Sequence, residues 1–290
     1  MKKQLSLLLA TLFIVIASFS QYSSSAIKQG VGEVKKDTIE NTLEEVIVSA
    51  KPYPQFKLVG DYKQPAWTLV RKFPSTRVYV MTPPGTIMYE KWFDVRTPRD
   101  GSPSEVRMRD EFAFGLGKRL ELDFYMHTVY KNNNEALSTF GFRGFSWEVR
   151  YALADWGKIP GNPTLYFEHK LLNQKRQGIE PKILLGDRIG KKGIWGLNLI
   201  LEADVAKLRK DQNREWAYTA SYGNIVNDDL TMGISHMFRY NDVKQTQEWY
   251  VGPLVQYRFN GHGYLNVEHM PGLNDAAKKS RTIIIFGWRF

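Results

Sequence analysis

The 290-residue chain contains no cysteine. That excludes disulfides, thiolate metal centres, cysteine nucleophiles and the lipidated cysteine of a lipoprotein, so the fold must stand without covalent staples. Beyond its N-terminus the chain also lacks any apolar run long enough for a helical membrane span, which excludes a helical transporter. A mean hydropathy of -0.39 is ordinary for a soluble protein. It does not exclude a β-barrel, whose strands show only alternate residues to lipid and keep polar ones inside.

What is present begins with Lys2 and Lys3, followed by the apolar stretch Leu5 to Phe19 and then the serines Ser23 to Ser25. This is the charged region and hydrophobic core of a secretory signal, expected to span residues 1–26 with cleavage near Ser20 or Ala26. A short N-terminal anchor is the plainer alternative, but the run is brief for a span and the serines follow it directly. The net charge of +10 would suit nucleic acid or an anionic membrane surface, and export removes nucleic acid.

Residues 27–75 are polar, rich in Lys, Glu, Thr and Pro, and are expected to form an extended periplasmic segment, with a plug for the barrel as one possible use. From Thr76 to Phe290 the pattern changes to stretches of about ten residues with period-two alternation, separated by Gly, Asn, Asp, Pro and Lys clusters. In Ile194 to Val205, Trp195, Leu197, Leu199, Leu201, Ala203 and Val205 alternate with Asn198, Glu202 and Asp204. Arg119 to Tyr130, Phe145 to Leu153 and Trp249 to Phe259 divide in the same way. The other expected strands are 86–96, 105–116, 164–172, 179–188, 215–222, 230–240, 263–270 and 281–290. The total is about twelve, an even number that suits a closed antiparallel up-and-down transmembrane barrel. Thr76 to Met81 is a thirteenth candidate, but Pro74, Pro83 and Pro84 bracket it and argue against a central strand.

A secreted β-sandwich would alternate too. Its core, however, would be apolar where these strands carry charge. On the barrel reading the inward set is Glu90, Asp94, Arg107, Arg109, Glu111, Arg119, Glu121, Asp123, Glu148, Arg150, Glu168, Glu202, Asp204 and Arg258, with Lys170, Glu180, Lys182, Glu215 and Glu248 beside them. Charges of both signs on neighbouring strands can pair and fill the bore, or can line a selective wet channel. The sequence leaves both open.

The closing residues Ile-Ile-Ile-Phe-Gly-Trp-Arg-Phe, with Ile284, Phe286, Trp288 and Phe290 facing out, resemble the C-terminal strand by which outer-membrane barrels are recognised by the barrel insertion machinery. Arg150 to Glu168, Leu254 to Phe259 and this strand together resemble outer-membrane barrels grouped with phenol-degradation meta-pathway transporters, over about residues 86–290. The resemblance implies passive passage or binding of a small solute in the outer membrane of a Gram-negative bacterium, among lipid and lipopolysaccharide, without a cofactor. Leu43 to Ala50 is similar to the energy-coupling box of TonB-dependent receptors, which implies a TonB-type partner contacting Glu44, Glu45, Val46, Ile47 and Val48.

Two other readings are weighed. A closed structural barrel would act through its loops, but the loops are short to moderate. An outer-membrane phospholipase would need a histidine beside a serine; Ser235 points away from His236, and the pattern sets no serine near His127 and Asp123. No metal loop is expected either: Asn227, Asp228 and Asp229 lack the glycine and glutamate of a calcium loop and read as a turn.

Overall fold

The computed structural model describes residues 54–133, 136–173, 176–205, 214–259 and 261–290. The expected leader, the rest of the segment up to residue 53 and the energy-coupling motif at 44–48 lie outside them.

Alternation of apolar and polar residues yields twelve long strands, each paired with its sequence neighbours. They are β3 (Ile87–Thr97), β4 (Glu105–Gly117), β5 (Leu120–Asn133), β6 (Ala136–Ala152), β7 (Thr164–Leu172), β8 (Arg176–Ile189), β9 (Gly193–Asp204), β10 (Arg214–Ile225), β11 (Leu230–Asn241), β12 (Thr246–Phe259), β13 (Gly263–Pro271) and β14 (Ser280–Arg289). All neighbours are antiparallel, and β14 returns to β3 with Phe286 opposite Lys91 and Ile284 opposite Phe93. Closure leaves the sheet without an edge, so every strand's backbone has a partner on both sides.

The outer face is apolar. Phe112, Phe124, Leu165, Ile183, Trp216, Ile234, Tyr257 and Phe286 are all exposed on it. A continuous belt of this kind is unfavourable in water and natural in hydrocarbon. Ile284, Phe286, Trp288 and Phe290 share this face, as expected, and Phe290 anchors the end of the chain through its N–H to the Ile87 carbonyl at 2.9 Å.

Two departures from strict alternation explain where period-two reading fails. Between His127 and Thr128 the β5–β6 register shifts by one residue, so Phe140 and Phe142 face outward together with Phe145 despite their opposite parity. Strand β6 therefore starts well before Phe145. Secondly, Gly117, Lys118 and Arg119 all have positive φ (84°, 49° and 63°), making a tight turn between β4 and β5. Arg119 thus lies in the turn and not on the inner wall. Its guanidinium bonds the Ala152 carbonyl and Asp155 at the rim, and it does not line the bore as alternation implied.

The chain before the barrel is the other correction. Residues 54–86 contain two 3-10 turns, Pro54–Phe56 and Ala66–Leu69, and a miniature ladder of β1 (Leu58–Val59) with β2 (Gln64–Pro65). Residues 71–82 make side-chain contacts with β3, β4, β5, β9, β10, β11, β12 and β13. So short a piece can meet strands on all sides of a closed barrel only from within it. Residues 71–82, which take in the end of the expected periplasmic segment, therefore lie inside the bore, and the barrel wall begins at Ile87 instead of Thr76. Thr76 to Met81 joins no ladder. Wall side chains satisfy its backbone instead: Asn198 receives the Arg77 N–H at 2.8 Å and donates to its carbonyl at 2.7 Å, and Glu121 accepts the Met81 and Thr82 N–H groups at 2.6 and 2.9 Å.

The wall is shaped to this inner segment. At Gly186 a β-carbon would lie 2.5 Å from Val78, at Gly196 2.8 Å from Val78 and 2.9 Å from Thr76, and at Gly223 3.0 Å from Phe73. At Gly115 it would meet the Pro83 carbonyl oxygen at 2.0 Å. Glycine is required where another piece of chain occupies the place of a side chain.

Candidate functional site

Strand register turns the inward residues of half the barrel into an arc of carboxylates. Glu90 stands opposite Glu111, Asp123 opposite Glu148, Glu148 opposite Glu168 and Glu168 opposite Glu180. Like charges facing one another across a ladder are destabilising unless cations intervene. Here they do. Arg150, wholly buried on β6, donates Nη1 to Glu121 at 2.6 Å, Nη2 to Asp123 and Nε to Glu148. Lys170 bridges Glu180 and Glu202, at 2.9 Å to the latter, and Lys182 also pairs with Glu180.

At Glu90 and Glu111 the counter-cations come from the inner segment. Arg71 Nε lies 2.9 Å from both oxygens of Glu90 and its Nη2 lies 2.5 Å from Oε2, while Nη2 is 3.6 Å from Glu111. Arg77 Nη2 reaches Glu111 at 2.6 Å and the Tyr125 hydroxyl at 2.8 Å. Trp92 stands between the two carboxylates and donates its indole N–H to Glu90 at 3.0 Å and Glu111 at 2.9 Å. The Arg71 guanidinium lies 4.4 Å from the Trp92 ring centre and that of Arg109 4.1 Å. The Tyr264 hydroxyl adds a further donor to Glu90.

The opposite wall carries mostly small hydroxyls and amides, with one carboxyl, Glu268. Thr76 bonds Ser221 at 2.8 Å, which in turn bonds Ser235 at 2.8 Å, and Lys72 donates to Gln256 at 2.8 Å. Ser75 donates to the buried Glu268 at 3.0 Å. The inner segment is thus held by guanidinium–carboxylate bonds on one side and by hydroxyls, an amide and the Glu268 carboxyl on the other.

Of the inward residues expected from alternation, Glu90, Glu111, Glu121, Asp123, Glu148, Arg150 and Glu168 meet in this central cluster, with Arg109 against Trp92. Others lie apart from it: Asp94 is clasped by Arg96 and Arg281, Arg107 pairs with Glu105, and Glu202 joins Lys170 and Arg239. Asp204 closes β9 opposite Gly178, and Arg258 ends the inward row of β12. Alternation missed Arg71, Lys72 and Arg77, because their segment has no periodicity to follow. It put Ser146 in the inward set of Phe145 to Leu153 but set no serine near His127, and there the structure corrects it. That hydroxyl lies 2.7 Å from His127 Nε2 and donates to Glu168 Oε1 at 2.7 Å.

The sequence matches no protein-family model and no curated protein. Among solved structures, the COG4313 outer membrane channel from Pseudomonas putida F1 superposes with a TM-score of 0.53 at 13% identity, covering 73% of this chain and 98% of that one. The NanC porin superposes with a TM-score of 0.50 at 10% identity, covering 69% and 97%. The fold is that of outer-membrane β-barrels. In this chain that fold surrounds residues 71–82, and a cavity lined by Trp67, Arg71, Arg77 and Met81 among others has a volume of about 10 Å³, room for about one water.

Proposed function

We propose that the protein is a gated channel of the Gram-negative outer membrane, passing small polar solutes when the inner segment is displaced. The observation that carries this reading is the pairing of Arg71 and Arg77 with the wall carboxylates Glu90 and Glu111. A permanent core would be better stabilised by apolar packing, since buried ion pairs recover little beyond their desolvation cost. Such pairs lose their strength once water enters, which suits a removable part. The shared fold with a channel and a porin supports passage. The resemblance to barrels grouped with phenol-degradation transporters points to small apolar solutes, whereas the charged wall favours polar ones.

The test is conductance of the full chain in planar bilayers. Wild type is expected to be nearly silent, and the variant R71A/R77A is expected to show steady, salt-dependent current at least about tenfold higher. Silence of both, with the variant folded, would shift the reading to a closed barrel acting through its loops.

Residues 44–48 resemble an energy-coupling box and precede Arg71 by little more than twenty residues. A TonB-type partner holding them would pull on the segment that fills the bore. Cross-linking from cysteines placed at Val46 and Val48 to such a partner in cells is the check, and its absence would leave opening to thermal or solute-driven displacement. The outward Phe290 supports recognition by the insertion machinery. Deleting it is expected to lower the heat-modifiable, membrane-inserted fraction several-fold in cells while leaving detergent refolding intact.

A further inference from the structure

We infer that the Glu90–Trp92–Glu111 corner of the bore is a binding site for guanidinium compounds, and that Arg71 of the inner segment occupies it as a built-in substitute for the solute. This rests on the channel reading only for how a solute would arrive.

The corner has the three elements that distinguish a guanidinium from other cations. Glu90 offers both oxygens to one edge of the Arg71 fork, the bidentate geometry that a planar donor can meet and an ammonium cannot. The Trp92 face lies 4.4 Å from the guanidinium carbon and supplies a flat surface for stacking. The carboxylates are themselves fixed from behind: Trp92 Nε1 bonds both, and Tyr264 bonds Glu90. All of these anchoring groups belong to the wall and remain when the segment leaves. Next to this corner, Glu111 and Tyr125 hold the Arg77 guanidinium by its Nη2 edge.

The charge balance supports the same class of ligand. Among the described residues, the arc of Glu90, Glu111, Glu121, Asp123, Glu148, Glu168 and Glu180 faces four wall cations, Arg109, Arg150, Lys170 and Lys182. Arg71 and Arg77 bring two more, so the formal charge of these groups is −1 when the bore is filled and −3 when it is not. Those two charges are restored by a cationic solute. An arc of fixed carboxylates also makes the opened bore selective for cations.

The test uses full-length R71A/R77A, in which both guanidinium positions are vacated while the chain is otherwise intact. Thermal unfolding in detergent is followed with millimolar guanidinium chloride, agmatine, tetramethylammonium chloride or sodium chloride, and the reversal potential is measured in a potassium chloride gradient. The expected result is a midpoint raised by a few degrees with guanidinium and agmatine, and not with tetramethylammonium or sodium, with the rise lost when E90Q is added. Current through the variant is expected to be carried mainly by potassium. Equal response to all four salts, or anion-selective current, would overturn the assignment. Selective stabilisation without any current would keep the site and overturn the channel reading instead. Should the double variant fail to fold, R71A alone, which leaves Arg77 on Glu111, gives the same comparison at the Glu90 corner.

Discussion

Replacing Arg150 by methionine is expected to be the most destabilising single substitution in the barrel wall. The side chain is completely buried and its three nitrogens engage Glu121, Asp123 and Glu148, with Glu111 a further 3.6 Å away. Methionine keeps the aliphatic stem and much of the volume, so the loss is electrostatic. Breaking a buried pair by removing one partner costs about 3–5 kcal/mol, because the other charge stays behind without compensation. Three carboxylates are left in that state here. The consequence extends to the inner segment, since Glu121 also accepts the Met81 and Thr82 N–H groups and is positioned by Arg150. Urea titration in micelles should show the midpoint fall markedly, with protease sensitivity appearing first in residues 54–86. Lysine at the same position keeps the charge but cannot reach three acceptors from one plane, and should fall between wild type and methionine. A midpoint shift no larger than that of an exposed pair, about 0–1 kcal/mol, would mean that the arc is hydrated and that Arg150 does not organise it.

The second large effect is expected from filling the glycine positions. Gly186→Val places side-chain carbon where Val78 stands, and Gly196→Val does the same against Val78 and Thr76. A closely packed interior resists added methylenes at a cost of about 1–3 kcal/mol each. In a continuous wall that cost would distort the strands. At Gly196 the obstructing groups of Val78, Thr76 and Phe73 all belong to a segment that is not part of the ladder, and at Gly186 the nearest one does too, with the Trp195 carbonyl of the wall behind it at 2.8 Å, so displacing the segment is the easier response. The double variant should therefore conduct without any change to Arg71 or Arg77, while its strand content by circular dichroism stays that of wild type. Gly141→Ala is the control, because its β-carbon would meet nothing closer than Val129 at 4.0 Å. A double variant that loses strand content and stays silent would show that the segment and the wall unfold together.

Much of the barrel was legible because the code for it is local. A strand buried in lipid on one side and in a polar bore on the other must alternate, so Leu199, Leu201 and Asn198, Glu202 declare their faces without knowledge of any partner. The register shift at His127 and the turn at Arg119 were not legible, since each depends on a backbone conformation that side-chain polarity does not encode. The possibility of a plug could be stated from the length and polarity of the N-terminal stretch, but not its extent, its path or its contacts.

The sequence by itself determined that the chain closes into an antiparallel barrel with apolar residues outside and charges of both signs inside, because period-two patterning acts residue by residue. Only the tertiary structure decided which charges meet. Register set Glu90 against Glu111 and Glu148 against Glu168, and topology brought Arg71 and Arg77 across the bore to the first of these pairs. Coulombic interaction depends on distance in space, and in a closed barrel that distance is fixed by pairing and closure and not by separation along the chain.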